Sequence, residues 1–255
     1  MKKSFTFCIA LMALTTAAAA QTARIGVEAL PPSFGSPFRT SLAPSIYSTA
    51  AVYDALTRFD DDVVLQPALA IKWESINPLT WRFHLRPGVT FSNGAPLTSD
   101  AVVNAIEYLT LPEAAREGLT REITILKSAK AVDALTVDIV TTEPVPLFPR
   151  IATALALPEP NAWRTLGREV FVKQPVGTGP FKVDAITENK WKLSKFDASW
   201  RPAKIKNLEI LLLPDTTSRV QALEAGQIDI AMVIGPDNIG TIEASGARFL
   251  SFPVA

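Results

Sequence analysis

The sequence predicts an α/β protein, and three observations carry that expectation. Pro78 to Leu109 reads as strand, turn, short strand, turn and capped helix. Leu208 to Ala231 reads as strand, helix, strand, the pattern of an α/β crossover. The chain also holds 20 prolines among 255 residues, which disfavours a helical bundle. With 48% hydrophobic and 20% charged residues, it has the composition of a soluble domain with a sizeable core.

The N-terminus has the layout of an export signal. Lys2 and Lys3 form a positive end, Ser4 to Thr16 is apolar, and Ala18-Ala19-Ala20 offers a cleavage site, so residues 1–20 are read as a signal peptide. The apolar run is shorter than the roughly 20 residues that span a bilayer. Cleavage there removes Cys8, the single cysteine, and leaves 23 basic against 25 acidic residues, a net charge of about −2. The mature chain then has no disulfide or thiol chemistry, and no overall field favours nucleic acid. A periplasmic location follows.

Arg24 to Val27 is a short strand stopped by Pro31-Pro32. Ser33 to Pro44 is a loop carrying Phe34 and Phe38, two aromatics that either anchor the loop or line a cleft. Ser45 to Phe59 is read as a helix with Ile46, Tyr47, Ala50, Tyr53 and Leu56 on its apolar stripe. Asp60-Asp61-Asp62 is a charged, solvated turn. Trp81, Phe83 and Leu85 alternate with Arg82, His84 and Arg86, a strand with one buried face. Gly88 and Asn93-Gly94 mark turns around a short strand at Val89 to Phe91. Thr98 or Ser99 caps the helix that follows.

Beyond Pro112 and the charged run Glu113 to Glu122, Ile123 to Ala131 and Leu135 to Thr141 are read as two strands. Leu147 to Leu157 is read as a helix. Pro175 to Phe181 forms a tight turn into the strand Phe181 to Val183, and Trp191 to Phe196 is another strand. Leu208 to Leu213 suits a strand buried on both faces. Thr216 or Thr217 caps a helix ended by Gly226, and Ile228 to Ala231 is the next strand. A last helix is expected over Asn238 to Ser245 and a last strand over Arg248 to Phe252.

Catalytic motifs are missing. His84 is the single histidine, read as a solvated side chain, so a triad or a histidine-rich metal site lacks its residues. No G-x-S-x-G, H-E-x-x-H, G-x-G-x-x-G or phosphate loop occurs. The expectation is a protein that is not an enzyme and carries no cofactor or metal.

Spacing narrows the class. Trp81-x-Phe83-x-Leu85-Arg86-x-Gly88-Val89-x-Phe91-x-Asn93-Gly94 followed by Thr98-x-Asp100-Ala101-Val102 resembles the signature of the family 5 extracytoplasmic solute-binding proteins, the dipeptide, oligopeptide, nickel and opine receptors of ABC importers. Tyr53 to Leu56, Leu65 to Ala70 with Trp73, Pro175 to Phe181, and Arg219-x-x-Ala222-Leu223-x-Ala225-Gly226-x-Ile228-Asp229 resemble further landmarks in order. The resemblance implies a class II periplasmic binding protein-like fold. Family members run to roughly twice this length in two lobes, so the chain is expected to be a first lobe with the second absent, whether as a fragment, a truncated product or a one-lobe protein.

It implies two subdomains, residues 21–48 with 171–255 beside the hinge and 49–170 carrying the signature. It also implies ligand contacts from the loop and helix start holding Phe34, Phe38 and Tyr47, and from Met232-Val233-Ile234. The expected role is binding a peptide or related small solute for ABC permease subunits, as a monomer. The alternative is a one-lobe docking module without solute binding of its own.

Overall fold

The structure, a computed structural model, describes residues 22–31, 35–38 and 43–250, and the backbone alone at 43–47. Residues 1–20, read above as a signal peptide, and Phe34 lie outside the described residues.

Strand β1 (Thr22–Val27) opens the fold, followed by helix α1 (Ala43–Val52) and the paired short strands β2 (Thr57–Phe59) and β3 (Leu65–Pro67). Next come β4 (Ala70–Asn77), β5 (Thr80–Leu85), helix α2 (Ser99–Leu109), helix α3 (Gly118–Glu122), β6 (Leu126–Asp133) and β7 (Thr136–Thr141). Short helices α4 (Phe148–Ile151), α5 (Pro160–Leu166) and α6 (Arg168–Phe171) lead to β8 (Phe181–Ile186), β9 (Lys190–Lys195) and β10 (Asn207–Leu212). Helix α7 (Thr216–Glu224), β11 (Ile230–Ala231) and helix α8 (Ile239–Ala244) follow.

One sheet has the order β4-β5-β7-β6 and is antiparallel throughout. Its alternation sets its two faces. Phe83, Leu85, Val137 and Ile139 are buried, whereas Arg82 forks onto Asp138 at 2.7 and 2.8 Å on the other face. His84 is half-buried there, 3.1 Å from the Glu74 carboxylate, so it has a cross-strand partner rather than full solvation. Helix α2 covers the apolar face with Ala101, Val102, Ala105 and Ile106. Thr98 is its N-cap by position, but its side chain makes no capping bond. Ser99 Oγ instead donates to the Asp133 carbonyl at 2.6 Å and ties the helix start to the β6–β7 hairpin.

The other sheet runs β11-β1-β10-β9-β8. β1 is parallel to both β10 and β11, and β8, β9 and β10 are antiparallel neighbours. Helix α7 carries the chain from β10 past β1 to β11. At Gly26 a Cβ would lie 2.7 Å from Ile228 and 3.2 Å from Leu213, so only glycine lets the crossover pack this closely.

Several elements differ from the sequence expectation. Helix α1 ends at Val52, not Phe59, because other segments take the carbonyls beyond it. Gly179 N–H donates to Val52 O, Leu157 to Asp54, Leu69 to Ala55 and Ala70 to Leu56, all at 2.8–3.1 Å. Val89 to Phe91 makes only one bridge, Thr90 with Pro96, since Gly88 and Gly94 turn the chain at φ 74° and 87°. The charged run becomes a 3-10 turn over Pro112–Arg116 and helix α3, and Leu147 to Leu157 splits into α4 and a 3-10 turn. β10 alternates buried and half-buried residues instead of burying both faces. β11 keeps two residues, and no strand forms over 247–250.

Candidate functional site

The parallel strands β1, β10 and β11 end side by side, and ligands of open α/β sheets bind outside such carboxyl ends. Pairing continues just past them. Leu213 N–H donates to Val27 O at 2.8 Å and Met232 N–H to Gly26 O at 2.9 Å. Glu28, Leu213 and Met232 therefore stand in a row along this edge.

Arg219 holds the row from behind. It lies one turn into α7 and is 2% exposed. Its guanidinium donates to Met232 O at 3.0 Å, Leu213 O at 2.6 Å, Pro214 O at 2.9 Å, Val233 O at 3.1 Å and Thr216 Oγ1 at 3.1 Å. A buried charge needs such a full set of partners. Val233 has φ 52°, a left-handed conformation that costs a β-branched residue about 1–3 kcal/mol unless its surroundings hold it. The Arg219 bonds to Met232 O and Val233 O supply that hold.

Of the residues expected to touch a ligand, Met232, Val233 and Ile234 share this edge. Val233 is 54% exposed, and Met232 and Ile234 are half-buried. Phe38 does not join them. It is fully buried, stacked on Tyr108 at 5.3 Å and edge-on to Trp163 at 5.2 Å, so the anchor reading of this aromatic replaces the cleft-lining one. The Tyr108 hydroxyl beside it donates to Glu117 Oε1, and burial, with the Glu117 charge second, pushes its pKa up to about 12. Tyr47 lies in α1 by its backbone and its side chain is outside the described set, as is Phe34.

Sequence reasoning missed two features. Arg219 was visible as a motif residue, and its place among the buried Val220 and Ala222 was the available signal. Glu28 gave no signal, yet its Oε2 is buried at the end of β1 without a hydrogen-bond partner among the described residues.

Two carboxylates elsewhere are committed to the fold. Asp229 accepts from Arg24 Nε and Nη2, and that pairing holds its carboxyl below the usual range. A concavity of about 500 Å³ lined by Tyr53, Asp54 and Arg201 opens beside α1. Its Asp54 already accepts from Thr178 Oγ1, Trp200 Nε1 and Arg201 Nε, so the carboxylate is engaged in holding the fold together.

The family model of bacterial extracellular solute-binding proteins, family 5, matches residues 64–248. The HTH-type transcriptional regulator SgrR of Salmonella typhimurium is 33% identical over 168 residues, 64% of this chain and 28% of the regulator. Among solved structures, MoaA of A. tumefaciens R10 in complex with mannopinic acid superposes with a TM-score of 0.74 at 26% identity, over 84% of this chain and 45% of MoaA. The oligopeptide-binding protein AppA of Bacillus subtilis, in complex with a nonapeptide, gives 0.78 at 19% identity, over 88% of this chain and 46% of AppA. The chain thus spans under half the length of these proteins. It belongs to the bacterial extracellular solute-binding proteins of family 5.

Proposed function

We propose that this chain is the substrate-binding component of an ABC importer for peptides or a related small solute. Family membership and the likeness to binding proteins solved with a nonapeptide and an opine support the reading. The observation that carries it is the edge where β1, β10 and β11 end, which presents an exposed apolar segment bracketed by Arg219. In this reading residues 1–20 direct export to the periplasm, and the mature chain works as a monomer with permease subunits and without a cofactor. Residues 21–48 and 171–255 form the hinge-side subdomain and 49–170 the other. Met232, Val233 and Ile234 touch the solute, together with the loop and helix start holding Phe34 and Tyr47.

The described residues supply one wall of a cleft. Pockets bury roughly 70–90% of a ligand, so one wall alone binds weakly. The test is a ¹⁵N NMR titration of the 255-residue chain with di- to pentapeptides, beside calorimetry. Amide shifts at 28–30 and 232–235 with an affinity near millimolar are the expected result. Micromolar affinity by calorimetry would overturn the one-wall reading. Peptide-independent capture of permease subunits without any amide shift would favour a docking module instead.

A further inference from the structure

Asn93-Gly94 is the single Asn-Gly pair in the chain. Both residues are exposed at a turn, and Gly94 has φ 87° with nothing within 4 Å of where a Cβ would stand. Asparagine is a thermolabile residue, and a following glycine puts no side chain between its amide carbon and the next backbone nitrogen. We propose that Asn93 is a modification site, converted to aspartate and isoaspartate by ring closure onto Gly94, and that Glu159 both restrains the conversion and is displaced by it. The chemistry needs no bound solute.

Water is the one co-reactant. The Gly94 nitrogen gives its proton to solvent and bonds to Asn93 Cγ. The Cγ–Nδ2 bond breaks, and Nδ2 leaves as ammonia with a proton from solvent. Water then opens the succinimide ring, its hydroxyl going to carbon and its proton to the Gly94 nitrogen. Opening at Cγ gives aspartate. Opening at the Asn93 backbone carbonyl gives isoaspartate, with the main chain routed through Cγ.

In the folded chain the polar atoms of this step are engaged. Gly94 N–H donates to Phe91 O at 2.8 Å, Ala95 N–H to Asn93 Oδ1 at 3.1 Å, and Asn93 Nδ2 to Glu159 Oε2 at 3.2 Å. Phe91 is fully buried, and its N–H donates to Ala95 O at 2.8 Å, which anchors the base of the turn. Ring closure requires the turn to open. The bond to Glu159, made to a charged acceptor, adds to the cost of opening.

Conversion turns this contact from attractive to repulsive. The atom facing Glu159 changes from an N–H donor to a carboxylate oxygen. Glu159 is 4% exposed and already accepts from Asn161 N and Ala162 N at the start of α5. Arg164 of that helix is committed to Asp100 at 2.6 Å. Two carboxylates in hydrogen-bond range repel each other, so the turn parts from α5. Trp163, packed edge-on against Phe38, Tyr108 and Phe171 at 4.8–5.2 Å, then loses support at its helix start.

The experiment incubates the full chain at pH 8 and 37 °C, folded and in urea, and follows every asparagine by peptide mass spectrometry that separates aspartate from isoaspartate. Asn93 should convert first in urea, with isoaspartate among the products, and about tenfold more slowly in the folded chain. Glu159→Ala should remove most of that protection, and Glu159→Gln, which keeps one acceptor oxygen, part of it. Asn93→Asp makes the converted state directly. It should quicken exchange of the Asn161 and Ala162 amides about tenfold, while Trp191 and Leu193 keep their protection.

Another asparagine converting ahead of Asn93 in urea, or aspartate forming there without isoaspartate, would overturn the site. Equal rates in the folded and unfolded chain would overturn the restraint, and wild-type rates in both Glu159 variants would overturn the role of Glu159. If Glu159→Ala loses protection at Trp191 and Leu193 as well, its effect is global and Glu159→Gln decides: a faster rate supports the role and a wild-type rate overturns it. Unchanged exchange at Asn161 and Ala162 in Asn93→Asp would overturn the displacement.

Discussion

Asp54 is 7% exposed and accepts from Thr178, Trp200 and Arg201, three groups that reach it from positions 124 to 147 residues away. Replacing it with Asn keeps the shape but leaves Arg201 without its ion pair. Arg201 is about a third exposed, which tempers the loss. Asp54→Asn should destabilise the fold by about 2 kcal/mol, read as a lower urea midpoint. Gly177 sits in the same junction, where a Cβ would overlap Val52 O and lie 2.7 Å from Tyr53 Cδ1. Gly177→Ala should cost about 1–3 kcal/mol. By contrast Gly240→Ala, inside α8 with nothing near its Cβ, should stabilise by about 0.5–1 kcal/mol. Equal effects for the two glycine variants would refute the packing argument. At this scale residue type alone is a poor guide. Phe38 and Phe34 look alike in a proline-rich loop, and only long-range packing commits Phe38 to the core. Arg219 stands in a readable motif, but its partners come from the chain at 213–216 and 232–233, which no local pattern connects.

Elements repeat the lesson with a clearer division. Strand β5 and helix α2 could be read because their apolar residues follow periods of 2 and 3.6 within one segment. The end of α1 could not, because distant N–H groups at 157, 69, 70 and 179 capture the carbonyls that would have extended it. The start of α5 shows how such long-range bonds can be tested. Glu159 is 4% exposed, and its carboxylate accepts from Asn161 N at 3.1 Å, Ala162 N at 2.7 Å and Asn93 Nδ2 at 3.2 Å. It thereby caps α5 and fastens the Asn93-Gly94 turn to it. Glu159→Ala removes both functions and should cost about 1–3 kcal/mol. Glu159→Gln, which keeps one acceptor oxygen, should recover part of that. If the two variants melt alike, the capping oxygens contribute little and packing of Pro160 and Trp163 carries the helix.

Across the whole molecule, both sheets carry carboxylates held below their ordinary range by specific partners. Asp138 is lowered chiefly by its bond to Arg82 in one sheet, and Asp229 by its bond to Arg24 in the other. Glu74 is lowered by His84 first and Lys72 next, and Asp60 by the Val64 backbone and the Gln66 side chain. A carboxyl whose folded pKa lies below its unfolded value binds its proton more readily when the chain is unfolded. Its contribution is complete above the unfolded value, about 4 for these groups, and disappears as pH falls through the lower folded value. Stability should therefore vary little from these groups between pH 5 and 8 and fall steeply below about pH 4. Urea midpoints measured from pH 7 down to pH 2.5 check this. The pairs bridge neighbouring strands within each sheet, so Arg82→Gln and Arg24→Gln should each flatten part of the acid limb. The double variant should flatten it further, since the two pairs lie in different sheets and share no partner. An acid limb unchanged in the double variant would show that these cross-strand pairs do not set the acid stability of the chain.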